Sequence, residues 1–136
     1  MAIKAKNVKM GVRERRRFRV RKKIVGSDQR PRICVFRSSK YTYVQVISDQ
    51  SGCTLLSAST RDDDVMECIK QLPAEQTKDA VVSRKSVAAA RALGMVLAKR
   101  AQEKGITRLV FDRNGFLYCG RIKGVAEGVR AGGIVF

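Results

Sequence analysis

The 136-residue sequence predicts an α/β fold. It reads as a compact mixed sheet of about four strands, an antiparallel three-stranded meander plus one parallel strand after a helix crossover, with two main packed helices behind it and a basic N-terminal arm in front. Three observations predict it. Short runs rich in β-branched and aromatic residues, separated by turn residues, lie between positions 33 and 60. An alanine-rich stretch with helical spacing follows, and after it a short apolar run, Leu109-Val110-Phe111. The third observation is the distribution of charge: residues 1–40 hold 15 basic and 2 acidic side chains, residues 41–136 hold 14 and 10, and the whole chain carries +17.

The arm, residues 1–29, comes first. Arg13, Arg15, Arg16, Arg17, Arg19, Arg21, Lys22 and Lys23 stand together with Glu14 as their one carboxylate, a density that repels itself and predicts disorder in isolation. Val8, Val12, Val20 and Ile24 fall on an i+4 ladder interrupted by Arg16, which predicts a one-sided helix once phosphates neutralise the arginines. Arginine exceeds lysine here, and a planar guanidinium grips phosphate oxygens in a bidentate way. The segment therefore reads as a phosphate-binding arm in preference to a solubility tail or a cleaved organellar presequence.

Gly26-Ser27-Asp28 breaks the arm, and Arg30-Pro31 forces an extended entry into a globular domain, residues 30–136. Ile33-Cys34-Val35-Phe36 is the first strand, Ser38-Ser39-Lys40-Tyr41 a hairpin loop, Thr42 to Ile47 the second strand, Asp49-Gln50-Ser51-Gly52 a turn, and Thr54 to Thr60 the third strand. Period-2 alternation puts Val44, Val46, Leu56 and Ala58 on an apolar face, and Tyr43, Gln45, Ser57 and Ser59 on a hydrogen-bonding one. From Asp62 a short helix and then a loop are expected. Asp64 and Glu67 have capping-box spacing, which is favoured over a divalent-metal site at Asp62-Asp63-Asp64. Ser86 caps a longer helix, 87–104, that ends at Gly105 and is expected to cover the meander, with Gly94 tolerated through close contact with a strand. The strand 108–112 follows a crossover and is expected to join in parallel, ending in the turn Arg113-Asn114-Gly115. A last helix spans 121–130. Gly120, Gly124, Gly128 and Gly132 form a ridge expected to pack on the sheet, with an approaching RNA backbone as the alternative.

Composition excludes several classes of chemistry. The sequence has no His, which removes imidazole as base, shuttle or metal ligand. Cys34, Cys53, Cys68 and Cys119 form no CxxC pair and read as reduced thiols packed as small apolar residues. No GKS, GKT or GxGxxG motif and no membrane-length apolar run occurs. No cofactor, metal, membrane or small-molecule substrate is expected. Two classes remain: a nucleic-acid binding module, and an enzyme using Asp112, the Asp62 to Asp64 cluster or Cys119, none of which has a partner at diagnostic spacing. A basic arm beside a sheet face with Arg37, Tyr43, Gln45, Ser57 and Ser59 supplies phosphate contacts, a stacking ring and hydroxyls, which favours binding, and RNA over DNA. A nonspecific basic nucleic-acid-binding protein is the alternative.

Two longer stretches then resemble a known family. Arg30-Pro31-Arg32-Ile33-Cys34-Val35-Phe36-Arg37-Ser38-Ser39-Lys40, with Tyr43 to Ile47 and Ser57 to Thr60, is similar to the signature of the bacterial-type 5S rRNA-binding ribosomal proteins of the large subunit, number eighteen in their series. Val110 to Lys123 and Gly132-Gly133 to Phe136 resemble that family's second signature and terminus. The resemblance implies a ribonuclease H-like topology without its active site and a structural, non-enzymatic role. It implies 5S rRNA, 23S-type rRNA and neighbouring 5S-associated ribosomal proteins as partners in the central protuberance, in a bacterial cytoplasm, a mitochondrion or a plastid. Carried over by residue, the RNA-facing surface is Arg30, Arg32, Arg37, Ser38, Ser39, Lys40, Tyr43, Gln45, Ser57, Ser59, Thr60, Arg113, Asn114, Gly115, Tyr118 and Arg121, with the arm's Arg13 to Lys23 reaching between RNA segments. Cys119 stands where the family usually has His, and the segment from Asp62 to Ser83 is longer and more acidic than the family pattern, which suggests contact with a protein neighbour.

Overall fold

The structure, a computed structural model, describes residues 9–72 and 84–136. The elements in chain order are α1 (Val12–Lys23), β1 (Arg32–Arg37), β2 (Thr42–Ser48), β3 (Cys53–Ser59), α2 (Asp63–Gln71), α3 (Val87–Glu103), β4 (Val110–Asp112) and α4 (Arg121–Ala131). The Val8 rung of the arm's ladder, Pro73 and the loop expected after α2 lie outside the described residues.

The strands form one sheet in the order β3-β2-β1-β4. The meander is antiparallel, with Val35 opposite Val44 and Val46 opposite Leu56, and β4 joins β1 in parallel, Cys34 opposite Asp112. Beyond β4 the C-terminal residues continue the sheet, where Leu109 N–H donates to the Val135 carbonyl at 3.0 Å and Val135 N–H to the Thr107 carbonyl at 3.1 Å. Period-2 alternation sends Ile33, Val35, Val44, Val46, Leu56 and Ala58 into the core, where they meet Val65 and Ile69 of α2, Leu93 and Leu97 of α3, and Ile122, Val125 and Val129 of α4. All three helices after the meander therefore lie on one face of the sheet.

α3 begins as its sequence predicts: Ser86 Oγ accepts from Ala89 N–H at 3.0 Å, and Gly105 takes φ +75 just past the end. Its glycine has a different partner from the expected strand. A Cβ on Gly94 would overlap the Val125 carbonyl of α4, one on Gly128 would overlap the Arg91 carbonyl of α3, and Gly132 lies on the Ala98 methyl. The glycine ridge of α4 thus seats α3, not the sheet, and the two helix backbones come closer than side chains of ordinary size allow.

Two further expectations change. The Asp64 and Glu67 capping box does not form. Asp62 is the N-cap of α2 without a side-chain cap bond; Asp62 and Asp64 both turn to Arg100, at 3.2 and 2.6 Å, whose guanidinium on α3 adds a charged partner to the backbone N–H each accepts, from Ser59 and Val65. Cys34 and Cys68 are partly covered, but Cys53 and Cys119 are exposed instead of packed as apolar residues, since β3's first residue and the loop before α4 reach the surface. Residues between arm and domain are tied down: Gly26 exchanges hydrogen bonds with Asp49 at 2.8 and 3.0 Å, and a Cβ there would overlap Arg32 and the Ile47 carbonyl.

Candidate nucleic-acid interface

The other face of the sheet carries two rows of side chains fixed by strand register. Ser57, Gln45, Cys34 and Asp112 form one row across all four strands, and Ser59, Tyr43 and Phe36 the next. α1 covers only the β4 side of this face. Glu14 starts the helix by accepting the Gly11 N–H at 3.0 Å, and the basic residues Arg21, Lys22 and Lys23 in its last turn suit the negative end of its dipole.

A helix stands where the ladder predicts one, but its docking face combines arginines with the later rungs of the ladder and leaves Val12 out. Val12 is 54% exposed, whereas Arg13, Arg16, Arg17, Val20 and Ile24 are half-buried. Arginines make the contact because the domain offers acceptors there. Arg21 donates to Asp112 Oδ2 and Asn114 Oδ1, both at 3.2 Å, and Arg13 donates to the Asn114 carbonyl at 3.3 Å while lying 4.1 Å from the Phe116 ring centroid. Gly115, at φ +77, lets the helix backbone in, since a Cβ there would overlap the Arg13 carbonyl. Arg15, Arg19, Lys22 and Lys23 project away from the domain and are exposed. Among the described residues, Arg21 is the single α1 cation in an ion pair with a carboxylate.

The uncovered half of the face presents Tyr43, Gln45, Ser57 and Ser59, with Ser39, Lys40 and Arg37 at its rim. Tyr43 belongs to an aromatic group with Phe36 and Tyr41, each 6.4 Å away, and Phe116 extends it at 6.0 Å from Phe36. Arg37 and Arg61 lie over Phe116 and Tyr41 at 5.1 and 5.3 Å. Sequence reasoning missed Phe36, Tyr41, Arg61 and Phe116. The parity of β1 carried the signal for Phe36, because Ile33 and Val35 in the core place Phe36 on the opposite face, where it is 42% exposed.

Several carried-over residues sit elsewhere. Arg32 is only 8% exposed and lies between two carboxylates, Asp49 at 2.9 Å and Asp112 at 2.7 Å, so its guanidinium joins β1 to the β2–β3 turn and to β4. Hydrogen bonding to Asp49 raises its pKa further above the ordinary range. Thr60 is buried, its hydroxyl accepting the Thr42 N–H at 3.0 Å, and Asn114 and Gly115 are buried in the turn under α1. Arg121 donates to the Ser38 and Tyr41 carbonyls at 3.0 and 3.4 Å and so holds the hairpin loop; its burial and the nearby Arg37 lower its pKa. Arg30 and Arg113 donate to the Leu109 and Phe116 carbonyls, both at 3.3 Å, and exposed Tyr118 accepts from Arg130 at the far edge of the sheet. Ser38 spans its own loop, bonding Tyr41 through its hydroxyl at 3.0 Å.

No group of three or more metal-ligating side chains occurs among the described residues, and no described helix is long and apolar enough to cross a membrane. Residues 7–136 match the family model for ribosomal L18 of archaea, bacteria, mitochondria and chloroplast. The large ribosomal subunit protein uL18 of Desulfatibacillum aliphaticivorans is 47% identical over 123 residues, 90% of this chain and 91% of the relative. Its counterpart in Desulforapulum autotrophicum is 45% identical over 131 residues, 96% and 98% of the two chains, and that of Dictyoglomus thermophilum 43% over 125 residues, 92% and 93%. With a match of this length joined to a basic helix and an open polar sheet face, the chain belongs to the ribosomal L18 family of the large ribosomal subunit.

Proposed function

We propose that this structural constituent of the large subunit binds 5S rRNA, helps attach it to 23S-type rRNA in the central protuberance, and performs no catalysis. The observation that carries the reading is the placement of α1: its outward cations, Arg15, Arg19, Lys22 and Lys23, stand beside the uncovered sheet face that holds Tyr43, Gln45, Ser57 and Ser59. Cations fix register on the phosphates, and a rigid polar face with a ring reads shape, 2′-hydroxyls and unstacked bases. The RNA surface then comprises that face with Arg37, Ser39 and Lys40 at its rim, and the chain divides into an arm, residues 1–29, and a binding domain, residues 30–136. Neighbouring 5S-associated proteins would complete the assembly.

Titration of the full chain against 5S rRNA, with tRNA and duplex DNA as competitors at two salt concentrations, tests this reading. A preference for 5S rRNA that persists at the higher salt is the expected result. Equal binding to all three, lost together as salt rises, would leave a nonspecific polyanion binder.

A further inference from the structure

We propose that Asp112 is a positioning residue for RNA binding: it fixes α1 on the domain through Arg21, so that the helix uses Arg13 and Arg21 as anchors and presents Arg15, Arg19, Lys22 and Lys23 as phosphate contacts. The second half of this statement rests on the RNA-binding reading above; the first stands on contacts within the chain.

Asp112 is fully buried at the end of the Ser57-Gln45-Cys34 row. Its carboxylate accepts from Arg32 at 2.7 Å, from Arg21 at 3.2 Å and from the Asn114 N–H at 2.8 Å. That last bond holds Asn114 at φ +55, a conformation that asparagine tolerates, and aims its side-chain oxygen at the second Arg21 donor and its carbonyl at Arg13. One buried carboxylate thus organises both arginine contacts of the helix. The helix needs such an anchor. It has 12 residues, none of them buried, and like charges at i and i+4 in Arg13/Arg17, Arg15/Arg19, Arg17/Arg21 and Arg19/Lys23. A short helix of this kind is not stable alone. Anchored, it presents its outward cations as a fixed row, which removes ordering entropy from the binding step.

Simple electrostatics and positioning predict opposite signs for one substitution. Removing a carboxylate from a protein that binds a polyanion raises affinity by charge alone, whereas loss of the anchor lowers it. For Asp112→Asn, hydrogen exchange on the free full-length chain is expected to show α1 amides exchanging at least about tenfold faster while β2 amides keep their protection, and 5S rRNA affinity is expected to fall by about fivefold to tenfold. Because Asp112→Asn also loosens Arg32, Arg21→Gln provides a variant that leaves the buried Arg32 pairs in place. It is expected to deprotect α1 in the same way and to weaken binding without changing the salt slope. Arg19→Gln is expected to leave α1 protection unchanged and to lower the slope by about 0.7 to 0.9. The proposal is overturned by α1 amides that are unprotected in the unaltered chain, by unchanged protection in both anchor variants, by a gain in affinity for Asp112→Asn, or by equal slope losses for Arg21→Gln and Arg19→Gln. Unaltered protein that does not prefer 5S rRNA over tRNA overturns the function proposed above instead, and the exchange measurements still decide the anchor.

Discussion

The Asp49 carboxylate accepts two hydrogen bonds from Arg32, at 2.9 and 3.0 Å, and one from the Gly26 N–H at 2.8 Å. Arg32 is the main reason its pKa falls from 3.8 to about 2. A carboxylate depressed on folding contributes stability that is complete above its unfolded pKa and is lost as pH falls through the folded one. Denaturation midpoints are therefore expected to hold down to about pH 4 and to decline between about pH 4 and 2, with Asp49→Asn flattening the decline and costing about 1 kcal/mol at pH 7 once solvent screening is allowed for. Tyr43 makes a different residue-scale prediction. Its ring is half-buried on the open face, away from the core. Tyr43→Ala is expected to weaken 5S rRNA binding by about 1 to 3 kcal/mol with the thermal midpoint little changed, as loss of base stacking does. Melting of the domain in place of a binding defect would assign the ring to packing with Phe36 and Tyr41. The position of Tyr43 was legible from alternation alone. The burial of Arg32 was not, because Asp49 and Asp112 reach it from the β2–β3 turn and from a strand about eighty positions away.

The α3–α4 pair shows what spacing reveals about an element and what it leaves open. A glycine every four positions predicts a groove along a helix, and the groove exists; only the packed structure shows that α3 fills it. Gly128→Ala is expected to destabilise the domain by about 2 to 3 kcal/mol, because the new methyl meets the Arg91 carbonyl of a helix backbone that cannot turn aside. At Gly105 a methyl meets no atom, and Gly105→Ala is expected to cost only the left-handed backbone term, about 1 kcal/mol. Denaturant unfolding of the two variants separates the causes, and equal losses would refute the close-approach reading of Gly128. The free edge of the sheet is closed by the same helix. Arg100 donates to the Ser57 carbonyl at 2.9 Å and Lys104 to the Leu55 carbonyl at 2.6 Å, occupying acceptors on β3 that would otherwise recruit another strand. In the sequence these two cations look like an ordinary solvated helix end.

At the scale of the whole molecule, charge and core lie on opposite sides of one sheet: helices α2, α3 and α4 pack on the apolar face, and α1 with its outward cations borders the polar one. If those four cations each meet a phosphate, replacing Arg15, Arg19, Lys22 and Lys23 with Gln together should flatten the dependence of log K for 5S rRNA on log salt by about three to four. An unchanged slope in filter-binding or fluorescence titrations would remove α1 from the phosphate contacts. What the sequence by itself determined was set by local pattern: the strand runs and their two faces, the turns at Gly52 and Asn114-Gly115, the Ser86 cap, the crossover into a parallel β4, the basic helix, and the family signature. These depend on side-chain period, backbone preference and covalent neighbours, which a linear text contains. Tertiary structure alone decided which arginines face the domain and which face outward, which helix the glycine ridge receives, and that Asp112 lies buried beneath α1. Each of those outcomes depends on acceptors or backbones brought together from distant positions, and no periodicity along one segment specifies the partner on another.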